Sequence, residues 1–198
     1  VDVMLIFGGG VVACCLAFSS EIVMLVAGDA FAAAAPVLLL IAVASAGHAL
    51  AQIYRHLLTA MHLPHLAMRV DVVGMAAALI LYVVLIRWQS HVGAGIATAL
   101  VECGLALGLA VVLHRQGVIR VLPRAWLKVA AVTIGTGLGM RLAADSGLHW
   151  LLVMPLGGIA YLGVLVLLAA IPLPYLRQVL RKEAKAEPNT DSAEATPR

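Results

Sequence analysis

An all-α bundle that crosses a membrane about six times is the fold class this sequence predicts, and three observations predict it. Hydrophobic residues make up 63% of the 198 positions and charged residues 12%, with a mean hydropathy of +1.05. Ordinary soluble domains hold about 45–50% apolar and about 25% charged residues, so no soluble core hides this much apolar surface. The apolar residues gather into runs close to the ~20 that a spanning helix needs. Lys and Arg, finally, collect in alternate connections between these runs, the asymmetry of a multi-pass membrane protein. The formal net charge of +3 is small; its placement carries the meaning, and nucleic-acid binding is not suggested.

The spans follow from breaker and turn residues. The first is read over 3–26 and stops at Gly28-Asp29. The second, 31–59, runs to Leu63-Pro64 and is long enough to be tilted or partly interfacial at its end. Gln89-Ser90 closes the third, 69–87, and the fourth follows over 92–114. The fifth, 126–144, begins after Pro123, is loosened by Gly135, Gly137 and Gly139, and carries Arg141 near its end. The sixth, 149–171, opens on His149-Trp150. Trp88, Trp126 and Trp150 fall at helix ends, where an aromatic belt forms. Residues 1–175 thus form one transmembrane domain, followed over 176–198 by a basic exit and a polar tail with Pro188 and Pro197, read as disordered. Because Val1 already sits in a hydrophobic run, the chain is expected to be the C-terminal portion of a longer protein.

Charge placement gives an orientation. Arg55 and Arg69 flank the turn after the second span; Arg115, Arg120, Arg124 and Lys128 follow the fourth; Arg177, Arg181, Lys182 and Lys185 follow the sixth. The opposite face holds Arg87 and Arg141 beside Glu21, Asp29 and Asp145. The positive-inside rule puts the first face, and the C-terminus, in the cytoplasm. Cys14, Cys15 and Cys103 lie within apolar runs, where packing is their expected role.

Two stretches carry a family resemblance. The run Phe18-Ser19-Ser20-Glu21-Ile22-Val23-Met24-Leu25-Val26-Ala27-Gly28-Asp29-Ala30-Phe31, with Ala34-Ala35-Pro36-Val37-Leu38, resembles the junction of two helices in the C-terminal domain of polysaccharide biosynthesis flippases. Val92-Gly93-Ala94-Gly95-Ile96-Ala97-Thr98-Ala99 is similar to that domain's small-residue helix opening, with Gly95 standing where the second alanine is usual. The likeness covers about residues 1–115; the last two spans fit by position and hydropathy alone. These flippases belong to the multidrug, oligosaccharidyl-lipid and polysaccharide exporter superfamily. The resemblance implies the C-terminal lobe of a two-lobed, pseudo-symmetric transporter in a bacterial-type inner membrane. It would pass a lipid-linked glycan between leaflets by alternating access, with an N-terminal lobe of the same protein as partner.

Candidate residues follow from what membrane depth does to polar groups. His48, Gln52, Arg55 and Thr59 recur at helical spacing along one face of the second span. Such a stripe faces a bundle interior or an aqueous cavity, where Arg55 offers phosphate a planar fork of donors; its alternative role is to snorkel with His56 toward headgroups. Glu102 lies midway along the fourth span, too deep to snorkel. It reads as one half of a structural pair or as a proton or sodium coupling group. Asp71, near the entrance of the third span, is two residues from Arg69, a spacing that does not pair on a helix. Gly93 and Gly95, extended by Gly104 and Gly108, form a small-residue surface for close helix packing. His62 and His65 without a third ligand make no zinc site. Gly8-Gly9-Gly10 lies inside a hydrophobic helix, so a nucleotide-loop reading fails on context. No cofactor is implied and no enzyme is expected. The competing functions are a drug or small-organic-cation exporter of the same superfamily, a membrane-embedded glycolipid enzyme, and a structural subunit with its polar residues paired internally.

Overall fold

A computed structural model describes residues 2–118, 123–147 and 149–167. The tail, Arg120 and the end of the expected sixth span lie outside them. The described chain is all-helical: α1 (Asp2–Ala27), a short 3-10 turn (Asp29–Ala34), α2 (Ala35–Ala60), α3 (Pro64–Arg115), α4 (Pro123–Asp145) and α5 (Trp150–Leu167). Three stretches, Ile6–Ala27, Asp29–Ala60 and Pro64–Arg115, are long and apolar enough to cross a membrane.

Helix starts and stops have local causes. Proline opens α2 and α3 within their first two positions, where its missing N–H costs nothing. At the end of α2, His62 turns left-handed (φ 58°), and the amides of His62 and Leu63 reach back to the carbonyls of Thr59 and Leu58 at 3.0 and 2.9 Å. Gly117 (φ 72°) ends α3 in the same way, with Gly117 and Val118 bonding to His114 and Leu113. Both are Schellman motifs, which satisfy carbonyls that a helix end leaves orphaned.

The 52 residues of α3 do not form one rod. A straight helix of that length would extend about 78 Å. At Ser90 the backbone leaves the helical region (φ 53°, ψ −125°), and the hydroxyls of Tyr82 and Thr98 meet at 2.8 Å. Sixteen residues of straight helix would hold those hydroxyls about 24 Å apart. Val70 likewise neighbours Gly108, and Leu105 neighbours Gly74. The chain therefore reverses at Ser90 into two antiparallel limbs, 64–89 and 91–115, matching the division the sequence placed at Gln89-Ser90.

Close contacts give the remaining directions. α2 runs parallel to the second limb of α3, since Leu40 meets Gly95 and Gly47 meets Cys103. α1 runs parallel to α4, since Gly9 meets Thr133, Leu16 meets Gly137 and Arg141 reaches the carbonyl of Ala17. α5 is antiparallel to both, packing Tyr161 against Gly9 and Gly10, and Trp150 against Phe18. Two groups of three helical runs result, α1–α4–α5 and α2 with the two limbs, joined where α1 packs on α2 through Gly8 and Ala46. Tyr54 and Leu58 on α2 and Leu109 and Leu113 on the second limb are almost fully buried and form the largest apolar cluster.

Several expectations are revised. The second span was expected to start as helix at 31, but the 3-10 turn occupies that stretch and α2 begins at Ala35. Its 26 residues give about 39 Å of helix, and the extra length read as tilt belongs partly to that turn. Trp88 is exposed as a belt residue would be, whereas Trp150 packs tilted against Phe18, with ring centroids 6.3 Å apart. The fifth span is continuous from Pro123 to Asp145 despite its glycines, because Gly137 lets the helix sit against Ala13 and Leu16 of α1.

Candidate functional site

The polar stripe of α2 begins at mid-length. His48 lies thirteen residues into α2, about 20 Å from the helix start and so halfway along the helix. Gly47 precedes it. A β-carbon there would stand 3.0 Å from the backbone of Glu102 and Cys103, so any larger residue would push α2 and the second limb apart by a few tenths of an ångström. That approach sets His48 Nδ1 3.0 Å from Glu102 Oε2. One turn further along, Gln52 Nε2 lies 3.1 Å from His48 Nε2. The amide has only donors on that nitrogen, so His48 accepts at Nε2 and its Nδ1–H donates to the carboxylate. Glu102, His48 and Gln52 thus form a hydrogen-bonded chain between two helices.

Arg55 lies one turn beyond Gln52. Its Nε donates to both oxygens of Asp71 at 3.1 Å and its Nη2 to Oδ1 at 2.8 Å, the forked geometry that guanidinium and carboxylate favour. The reason is the turn at 61–63: Arg55 and Asp71 stand equally far from Leu63 on the two arms of the hairpin, α2 and the first limb. Thr59, the last member of the stripe, donates to the carbonyl of Arg55 at 2.9 Å and serves the helix end.

The pairs are made within the chain, yet they are not enclosed. The side chains of His48 and Glu102 are 51% and 24% exposed, those of Arg55 and Asp71 23% and 40%, and Gln52 is exposed. Two corrections to the sequence reading follow. Arg55 does not present an uncompensated cation, because Asp71 neutralises it, and Asp71 is not merely a neighbour of Arg69. Glu102, read from the sequence as half of a structural pair or as a coupling group, has His48 as its partner. The pairing of Arg55 with Asp71 was legible in principle from their equal distance to the turn. The pairing of His48 with Glu102 had no local signal, since it depends on the register of two parallel helices.

The glycines divide. Gly93 sits against the carbonyl of Leu85 and the amide of Ile86, which closes the hairpin just past Ser90. Gly95 fits Leu40 and Val37 of α2, and Gly108 fits Val70. Gly104 departs from the expected packing role: a β-carbon on it meets nothing within 4 Å, because it faces an open groove between the limbs.

A second polar group lies at the other end of the bundle. Arg141 of α4 donates from Nη1 to Glu21 at 2.6 Å and to the carbonyl of Ala17 at 3.3 Å, with Asp145 3.6 Å from its Nε. It meets α1 where Phe18 leaves helical geometry (φ −131°, ψ 22°). The sequence placed these charges on one face without joining them. Among the described residues no three His, Cys, Asp or Glu side chains gather as metal ligands would. Comparison with known proteins finds no match: no family model, no curated protein and no solved structure is similar to this chain.

Proposed function

We propose that the six helical runs cross the membrane and form the C-terminal lobe of a transporter that moves its substrate along the polar face of α2, in the manner of a lipid-linked glycan flippase. The observation that carries this reading is the row Glu102, His48, Gln52, Arg55 and Asp71, ionisable and polar groups running from mid-helix toward the 61–63 turn that are hydrogen-bonded yet still partly exposed. Lipid is a poor neighbour for such groups, and they mark pathways in membrane proteins. A second lobe facing α2 would enclose the row in an aqueous cleft, with alternating access opening it to each leaflet. The resemblance at 18–38 and 92–99 supports the flippase class, and Gly93 and Gly95 of that motif hold the second limb against its neighbours. The C-terminus then lies on the cytoplasmic side of a bacterial-type inner membrane.

One observation favours a second reading, a small-organic-cation exporter of the same superfamily. Asp71 cancels the charge of Arg55, so the row lacks the free cation that would draw in a pyrophosphate. Reconstitution of the full-length protein into proteoliposomes separates the readings. Movement of a fluorescent lipid-linked oligosaccharide, lost in Arg55→Ala and Glu102→Gln, supports the flippase. Movement of an organic cation alone supports the exporter, and transport unchanged in both variants leaves the row a structural brace and removes it from the mechanism.

A further inference from the structure

The outer face of the α3 hairpin carries a feature that the transport reading leaves unused. Between the two limbs runs an open apolar groove of about 460 Å³, lined by Gly74, Ala77 and Leu81 on one side and by Gly104 and Gly108 on the other, with Arg69 at its end. From Arg69 to Leu81 it follows twelve residues of helix, about 18 Å, close to the ~15 Å depth of one leaflet of a ~30 Å core. Gly104 has no protein neighbour to explain it; a larger side chain would fill the groove. Arg69 is exposed and takes part in no ion pair among the described residues, whereas Arg55 and Arg141 are both paired. Asp71, the nearest carboxylate in sequence, is already held by Arg55. His65, exposed and one helical turn nearer the end, lies on the same side of the limb as Arg69.

We infer that this groove seats one acyl chain of an anionic membrane phospholipid, with the lipid phosphate on the guanidinium of Arg69. The charge decides the ligand. An uncompensated guanidinium at the interfacial end of an apolar slot one leaflet deep complements an anionic head on a hydrocarbon tail, and two phosphate oxygens match its forked donors. Phosphatidylglycerol fits this description and phosphatidylcholine, with no net charge, fits it poorly. The inference rests on the membrane placement and not on what is transported.

The test uses the full chain purified from membranes, with lipids retained at a fixed detergent ratio counted by native mass spectrometry. Wild type should retain phosphatidylglycerol about tenfold over phosphatidylcholine, the value of one charge-assisted contact. Arg69→Gln should abolish that preference while leaving total lipid nearly unchanged. Gly104→Leu should reduce retention of both lipids, and circular dichroism confirms that each variant is folded. Absence of preference in wild type, or a preference that survives Arg69→Gln, overturns the headgroup assignment. Retention unaffected by Gly104→Leu overturns the groove. Recovery of the chain from cells without detergent would overturn the membrane placement and this inference with it; a chain that needs detergent but shows no preference overturns this inference alone.

Discussion

Replacing Gly93 by alanine should loosen the α3 hairpin, and the geometry sets the size of the effect. The added β-carbon would fall on the carbonyl oxygen of Leu85, 2.5 Å from its carbon and 3.1 Å from the amide nitrogen of Ile86. All are backbone atoms, so no rotamer change relieves the clash. Ordinary contact with that oxygen requires the limbs to part by about 1.4 Å. Overpacking of this kind costs about 1–3 kcal/mol, and the rigid neighbour points to the upper end. Parting the limbs also weakens the Tyr82–Thr98 hydrogen bond, worth about 1 kcal/mol. Alanine returns about 1 kcal/mol of helix propensity. The expected net loss is about 2–3 kcal/mol. Gly104→Ala is the matched control on the same limb: its β-carbon meets nothing within 4 Å, so only the propensity gain of about 1 kcal/mol remains. The assay is unfolding of both variants by SDS titration in mixed micelles, followed by circular dichroism. Equal shifts for the two, or a stabilised Gly93→Ala, would refute the close approach of the limbs.

Asp71→Asn should destabilise the chain by about 1–2 kcal/mol, less than the 3–5 typical of a fully buried pair because Asp71 is 40% exposed. Arg55→Gln combined with Asp71→Asn should recover part of the loss in the same titration, and additive losses would show the pair to be uncoupled. Ser90→Gly should stabilise by about 1 kcal/mol by relieving a positive φ, read as a later SDS midpoint; an earlier midpoint would contradict the reversal at Ser90. Leu109→Ala removes a fully buried side chain from the α2–α3 cluster and should cost about 2–5 kcal/mol, while Leu107→Ala, an exposed position on the same limb, should change the midpoint by less than about 1 kcal/mol.

The helical runs were legible because hydropathy and breakers are local properties. Gln89-Ser90 announced the reversal inside α3, and Leu63-Pro64 announced its start. What stayed hidden depends on which helices touch. Gly47 is a single glycine in a long apolar run, and only the parallel partner makes it the point that brings His48 to Glu102. Gly104 and Gly108 share a four-residue spacing and both border the groove, yet only Gly108 meets a side chain, that of Val70. Spacing defines a face; it does not say what covers that face. The charge of Arg55 was equally visible, but its neutralisation by Asp71 required reading the turn at 61–63 as a mirror.

The parallel pairing of α1 with α4 has a consequence for how the chain is made. Arg141 meets Ala17 across 124 residues of sequence, and ribosomes add about 5–20 residues per second. For about 6–25 s, therefore, α1 must wait with Glu21 unanswered, while α2 and the limbs of α3 can already close their hairpins. An insertion factor that shelters a nascent helix would find its client in α1, which among the described spans waits longest for the helix it pairs with.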